Sequence, residues 1–202
     1  MRGSALGVRG AQALRECSGG RKGVAGPGPG TTPMKGDMGG MVMGAGKGGG
    51  ASAARGDGVS LFDAIRPVVS GNAISDVRDG IYLEYGSDTM IECNTVLRGR
   101  YAIHSMYGKS VSVARNHFAT NESGPVMMYG GPVSLEGNVI RDEQSPATGF
   151  GALFLDVGAV HLLRNVMVSN RIGLQIEGPL DDARPSIVEL NTIALNQNGF
   201  GL

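Results

Sequence analysis

The chain has 202 residues and no net charge, since 18 Lys and Arg are balanced by 18 Asp and Glu, and this length suits one domain. The charges are unevenly divided: residues 1–56 hold eight basic residues against two acids, and the rest holds ten against sixteen. The acidic region has no basic stripe for a phosphate backbone, so nucleic acid is not expected as a partner. All apolar runs are short, so no membrane-spanning helix is expected.

The first 56 residues differ in character from the rest. They contain 18 glycines and no aromatic residue, and such a segment buries too little apolar surface to offset its chain entropy. Residues 1–56 are therefore predicted to be a disordered Gly- and Met-rich tail, without a recognisable signal peptide. Cys17 lies in this tail and Cys93 outside it. Two such cysteines do not define a disulfide framework.

An asparagine recurs at a fixed interval from residue 72 onward. Four of these asparagines are spaced by 22 residues, and the next two follow after 27 and 26. A period in the twenties is typical of a solenoid. An Asn at the same corner of every coil can bond to the backbone and to the Asn of the next coil, which predicts a buried ladder. Its members are Asn72, Asn94, Asn116, Asn138, Asn165 and Asn191.

Each repeat contains three short alternating segments, which predict three strands per coil. Stacked over residues 57–202, they predict an all-β parallel β-helix of about seven coils. Similarity to known solenoids of this type indicates a right-handed helix. In the third strand, alternate positions are mostly apolar and are expected to face the core. One inward column contains Ile81 and Ile103, and the next contains Leu83 and Met127.

The intervening positions of that strand are expected to face solvent, yet several are apolar. A contiguous exposed apolar surface is typical of a docking site, and this one is predicted to dock a partner through Tyr82, Glu84, Val126, Leu153 and Leu155. The same surface carries one imidazole and two thioethers, which are soft ligands that suit Cu(I). These candidate copper ligands are His104, Met106 and Met128.

A second class of function is a polysaccharide-active enzyme of the lyase or epimerase type, or a carbohydrate-binding β-helix. Catalysis of that kind needs carboxylates clustered on one outer face. Glu84 and Glu177 lie on the corresponding face but several coils apart, and no calcium-binding glycine–aspartate repeat is present. A non-enzymatic role is therefore expected.

Residues 76–131 contain three segments that resemble the NosD family: RDGIYL (78–83), RYAIHSMY (100–107) and VMMY (126–129). The similarity extends over residues 57–202. This resemblance implies a periplasmic accessory protein for copper-site maturation of nitrous oxide reductase. It further implies ABC-type transporter subunits and a copper donor or acceptor protein as partners, and at most transient copper binding. The chain stops inside a coil at NGFGL (198–202), which suggests that the β-helix is truncated there.

Overall fold

A computed structural model describes Cys17, residues 55–178 and residues 184–201. The described chain is an all-β solenoid in which every strand pairing is parallel and every strand lies beside its counterpart in the next coil. The predicted parallel β-helix is thereby confirmed. The predicted disordered tail falls almost wholly outside the described residues.

Three sheets form the walls of the solenoid. The seven strands of sheet A are β1 (Val59–Phe62), β4 (Asp79–Glu84), β7 (Tyr101–Met106), β10 (Ser123–Met128), β13 (Phe150–Leu155), β16 (Ile172–Glu177) and β19 (Asn198–Gly201). The six strands of sheet B are β2 (Val68–Ser70), β5 (Ser87–Glu92), β8 (Lys109–Ala114), β11 (Val133–Glu136), β14 (Val160–Leu163) and β17 (Ile187–Glu189). The six strands of sheet C are β3 (Ala73–Ser75), β6 (Thr95–Leu97), β9 (His117–Ala119), β12 (Val139–Arg141), β15 (Val166–Val168) and β18 (Thr192–Ala194).

The core is a stack of apolar layers, each contributed by one coil. Ile81, Leu83 and Ile103 of sheet A have no exposed surface, and neither do Ile91 of sheet B and Phe118 of sheet C. Successive side chains of a strand point to opposite faces, so the alternation in sequence decides which residues reach this core. The inward columns predicted for sheet A are confirmed in the central coils.

The corner between sheets B and C is closed by the predicted asparagine ladder. Asn94 donates from its side-chain amide to Asn116 Oδ1 at 3.0 Å, and its backbone N–H donates to the same oxygen at 2.9 Å. Asn116 repeats both bonds with Asn138. The ladder is buried at Asn94, Asn116, Asn138 and Asn165 and more exposed at its two ends.

Each asparagine of this ladder follows a residue in the left-handed backbone conformation. The φ angles are 56° at Cys93, 54° at Arg115 and 63° at Gly137. Non-glycine residues adopt this region at an energetic penalty, and it persists only where the surroundings enforce it. Here the hydrogen bonds of the following asparagine hold the turn in place.

A second ladder closes the corner between sheets C and A, five residues after the first. Asn121 accepts a hydrogen bond from the backbone of Gly99 and donates to Glu143. Glu143 and Asn170 donate their backbone N–H groups to the Oδ1 atoms of Asn170 and Asn196. The sequence signal is an asparagine five residues after the first ladder in three coils, and the expectation of a single ladder missed it.

The two cysteines form a disulfide, with 5.5 Å between the Cα atoms of Cys17 and Cys93. Cys93 lies at the sharp corner before Asn94, so the bond attaches position 17 to the outside of the Asn ladder. Their separation by 76 residues gave no hint of pairing.

Within the described residues, no helix is long and apolar enough to cross a membrane.

Replacing Asn116 with Ala should lower the free energy of unfolding by about 1–3 kcal/mol, because Asn94 loses the acceptor of two buried donors. Chemical denaturation followed by circular dichroism measures the effect. Asn72→Ala at the exposed end of the ladder is the matched control and should cost less. Equal effects of the two substitutions would contradict a ladder that acts through its buried members.

Candidate functional site

The outward side of sheet A brings the predicted copper ligands together. Met106 and Met128 are paired in register on the neighbouring strands β7 and β10, and His104 lies two residues before Met106. Stacked strands are separated by about 4.8 Å, so the two thioethers are adjacent. All three side chains are partly exposed, whereas the intervening Ser105 and Met127 are buried. We refer to the outward side of β7, β10 and β13 as the outer face.

The prediction that Val126 is an exposed docking residue is wrong. Its side chain points outward, but only 3% of its surface is exposed. Its register neighbours are His104 and Leu153, and Val126 is the shortest of these three consecutive side chains. The accessible part of the outer face is therefore formed by the residues around it, including the half-buried Leu153 and Leu155.

His104 is bonded to the buried carboxylate of the Asp79–Arg100 ion pair. Its Nδ1 lies 3.0 Å from Oδ2 of Asp79, a carboxylate with no exposed surface. Arg100 binds the same carboxylate through two bonds, Nε to Oδ1 at 2.8 Å and Nη2 to Oδ2 at 2.5 Å. Burial raises the pKa of Asp79, but the hydrogen bonds from His104 and Arg100 outweigh it and lower the pKa to about 2. Asp79 is therefore ionised at neutral pH.

The ionised state of Asp79 fixes the tautomer of His104. A carboxylate only accepts hydrogen bonds, so Nδ1 of His104 must carry the proton. In the neutral imidazole, Nε2 then keeps its lone pair. The ring is packed edge-on against Tyr82 and Tyr101, with centroids 5.2 and 5.1 Å away. Metal-binding histidines are oriented in this way, by a carboxylate on the opposite ring nitrogen.

Tyr82 and Glu84, both predicted to dock a partner, are bonded to each other. The Tyr82 hydroxyl donates to Oε2 of Glu84 at 2.8 Å. Burial and this hydrogen bond raise the pKa of Tyr82 to about 12, so its phenol stays protonated. Glu84 is the register neighbour of Met106, which places one carboxylate beside the thioethers.

Sequence reasoning missed the role of Asp79. In the structure, aspartates of one coil pair with arginines of the next: Asp76 with Arg98 at 2.6 Å and Asp79 with Arg100 at 2.5 Å. The signal in the sequence is an Arg placed 21 or 22 residues after an Asp. Only the second of these carboxylates is buried.

A stack of tyrosines, also missed, runs along the corner beside the outer face. Tyr85 and Tyr107 are stacked with centroids 5.0 Å apart and planes 8° from parallel, and Tyr107 and Tyr129 are 5.5 Å apart at 25°. All three are exposed. Each directly follows the last residue of a strand of sheet A, which is Glu84, Met106 or Met128, so a spacing of 22 residues was the available signal. We call these three rings the tyrosine stack.

Among the described residues, no group of three or more His, Cys, Asp or Glu is placed to hold a metal ion. A metal on the outer face would be bound by Nε2 of His104 together with the sulfur atoms of Met106 and Met128. Imidazole and thioether ligands suit Cu(I), whereas hard cations prefer oxygen ligands. The chemistry of these donor atoms therefore suits a soft monovalent copper ion.

Comparison with known proteins identifies one family. Residues 40–202 match the model of NosD, described as a periplasmic copper-binding protein. The matched region includes every described strand of the solenoid and begins before the boundary expected at residue 57. No curated protein and no solved structure matches the chain.

Asp79→Asn should lower the free energy of unfolding by about 2–4 kcal/mol, because the half-buried Arg100 loses the buried carboxylate to which it makes two hydrogen bonds. Asp76→Asn is the matched control, since it breaks the same Asp–Arg geometry on the exposed surface, where ion pairs contribute little. Thermal or chemical unfolding of the two variants at pH 7 decides the comparison. Similar losses in both would contradict the importance of burial at Asp79.

The low pKa of Asp79 also sets a direction for acid unfolding. A carboxyl whose pKa is lower in the folded state stabilises the fold above its unfolded pKa, near 3.8, and this contribution is lost as the pH falls towards 2. The stability of the Asp79→Asn variant should therefore fall less steeply than that of the wild type between about pH 4 and pH 2. Parallel slopes in that range would show that Asp79 is not the titrating group.

Proposed function

Because the chain belongs to the NosD family, we propose that it is a non-catalytic periplasmic accessory protein that handles Cu(I) during copper-site maturation of nitrous oxide reductase. Its proposed partners are ABC-type transporter subunits and a copper donor or acceptor protein. The observation that supports the copper role is that His104, whose Nδ1 is bonded to Asp79, lies two residues before Met106 on a strand in which Met106 is paired in register with Met128. The family description as periplasmic and copper-binding points the same way.

The geometry of the outer face suits transfer of copper better than storage. The three ligands project from one side of one sheet, so they cover a bound ion from below and leave its outer side open. A donor or acceptor protein can then add a ligand from above while the ion is still held. We expect modest affinity for Cu(I) in the protein alone and tighter binding in the complex.

The docking surface for such a partner lies at the carboxyl end of sheet A. Its centre is formed by Met106, Met128 and the tyrosine stack, and methionine and aromatic side chains are enriched in the centres of protein interfaces. Acidic residues flank this centre along the solenoid axis on both sides. They are Asp63 and Glu84 on one side and Asp156 and Glu177 on the other. A partner with a basic rim around an apolar centre fits this pattern.

The disulfide between Cys17 and Cys93 supports the periplasmic location. Disulfides form and persist in oxidising compartments, and the bacterial periplasm is one of them, whereas cytosolic thiols are kept reduced. This argument does not depend on the family match.

The tyrosine stack raises carbohydrate binding as a second candidate function, because sugars pack on exposed aromatic faces. In this stack the faces of neighbouring rings cover each other, at centroid distances of 5.0 and 5.5 Å. The middle ring, Tyr107, therefore has both of its faces covered. Such a surface suits a protein partner better than a pyranose ring. A glycan-binding assay with Tyr107→Ala as control would detect the alternative.

Replacing Met106 and Met128 together with Leu should weaken Cu(I) binding by at least about tenfold. The substitution removes two ligands, and even the loss of a residue that only orients a ligand weakens metal binding by that much. Leu keeps the apolar volume, so the thermal midpoint should change little. Met90→Leu is the matched control, because Met90 is an exposed methionine on sheet B. Competition with a chromogenic Cu(I) chelator under anaerobic conditions measures the affinity. Equal affinities of the double variant and the control would remove the thioethers from the site.

Replacing His104, Met106 and Met128 together with Ser should abolish copper loading of nitrous oxide reductase in cells. Tyr107→Ala should instead reduce loading while the purified protein keeps its Cu(I) affinity, because it alters the docking centre and not the ligands. Loading is measured by reductase activity and copper content, with protein levels compared by immunoblot. Normal loading with the triple variant would contradict the copper role of the outer face.

A further inference from the structure

Glu143 occupies a position in the second ladder that the neighbouring coils fill with asparagine. It has no exposed surface. Its Oε1 accepts a hydrogen bond from the side-chain amide of Asn121 at 3.1 Å, and its backbone N–H donates to Oδ1 of Asn170 at 3.0 Å. Along the ladder, the carboxyl group of Glu143 therefore lies between the side-chain amides of Asn121 and Asn170.

The asparagines of this ladder also donate inward to the backbone of sheet C. The amide nitrogens of Asn121, Asn170 and Asn196 donate to the carbonyl oxygens of Val96, Ile140 and Met167. By the same pattern, the carbonyl that corresponds to Glu143 is that of Phe118. A carboxylate has no hydrogen to donate there, whereas a neutral carboxylic acid has one. Oε2 of Glu143 is buried and has no hydrogen-bond partner among the described residues.

The charged groups around Glu143 do not compensate a negative charge at Oε2. Arg141 and Asp142 immediately precede it in the chain, with opposite effects on its ionisation, and they form an ion pair with each other. Glu122 follows Asn121 in the coil below, and Arg171 follows Asn170 in the coil above. Arg171 contacts Glu143 through the backbone, N–H to carbonyl at 2.9 Å. Burial raises the pKa of Glu143 to about 8, in agreement with this geometry.

The chain that follows Glu143 is the longest connection between sheets C and A in the described coils, and it lines a surface cavity. Residues 142–149 join β12 to β13. The cavity has a volume of about 370 Å³, and its lining includes Asn121 and Glu122 of one coil with Asp142, Gln144 and Ser145 of the next. Glu143 thus anchors the first residues of this wall to the solenoid.

We infer that Glu143 is a proton-dependent latch: as a neutral acid it completes the second ladder and holds residues 142–149 on the solenoid, and as a carboxylate it releases them. Deprotonation removes the hydrogen that would be donated to the backbone carbonyl and places a charge at a buried oxygen that has no hydrogen-bond partner among the described residues. The buried group then gains free energy by moving towards water. The wall of the cavity should consequently loosen as the pH rises. This device is independent of the proposed copper role.

The sign of the pH dependence follows from linkage. A carboxyl that holds its proton more tightly in the folded state stabilises the fold at low pH, and that contribution is lost as the pH rises from the unfolded pKa, near 4.5, to the folded one, about 8. Glu143→Gln keeps the length of the side chain and supplies a permanent donor at the place of Oε2. Glu122→Gln is the matched control, since it removes an exposed carboxylate from the same cavity wall.

The test measures hydrogen exchange at the Arg171 amide, which is bonded to the Glu143 carbonyl. After correction for intrinsic rates, protection in the wild type should fall by about tenfold or more between pH 6 and pH 9. Glu143→Gln should show pH-independent protection, and Glu122→Gln should behave as the wild type does. Constant protection in the wild type would overturn the latch.

A second measurement keeps the proposal testable if Glu143→Gln fails to fold. Carbon-13 NMR of the glutamate side chains of the wild type should show one carboxyl that titrates near pH 8, together with chemical-shift changes confined to residues around 142–149 and 170–171. Titration of every glutamate below pH 6 would overturn the proposal, and so would a high titration without any local response in that region.

Discussion

The amide of a corner asparagine is the constraint on which the rest of the solenoid depends. Each coil must turn sharply three times, and each turn begins with a residue of positive φ that only its surroundings can enforce. Asn116 satisfies the turn from both sides, since its oxygen accepts two bonds from Asn94 and its nitrogen donates inward to the carbonyl of Ile91. The same bonds fix the axial spacing of the coils. Register, and with it every alignment on the outer faces, follows from that spacing.

A fixed register turns residues distant in sequence into neighbours, and the outer face is built entirely from such pairs. Met106 meets Met128 across 22 residues, and Arg100 reaches Asp79 across 21. The buried carboxylate of Asp79, the imidazole of His104 with the thioether of Met106, and the thioether of Met128 are distant from one another in the sequence but lie on neighbouring strands. Stacking brings them together because each coil contributes one or two of these groups at equivalent positions of sheet A. An insertion in one coil does not disturb the register of the strands, provided that the extra residues form a loop at a corner between two sheets.

The sequence period was sufficient to predict the fold, the inward columns and the first ladder, because each depends on repetition that one chain displays directly. It was not sufficient for Val126, whose outward direction is correct but whose exposure depends on the sizes of its neighbours. Nor did it identify Asp79, since charge alone does not distinguish a buried carboxylate from a solvated one. Glu143 interrupts the column of the second ladder, so a search for identical residues passes over the position at which the ladder differs chemically.

Two buried carboxyl groups in the described coils show how the same side-chain chemistry acquires opposite states. Asp79 is surrounded by donors: Arg100 supplies two N–H groups and His104 supplies one, so the ionised form is held even without contact with water. Glu143 meets amide donors at one oxygen only and none at the other, so its neutral form fits better. Burial penalises the charge in both cases. The number and direction of the neighbouring N–H groups decide which carboxyl can orient an imidazole at neutral pH and which one retains its proton.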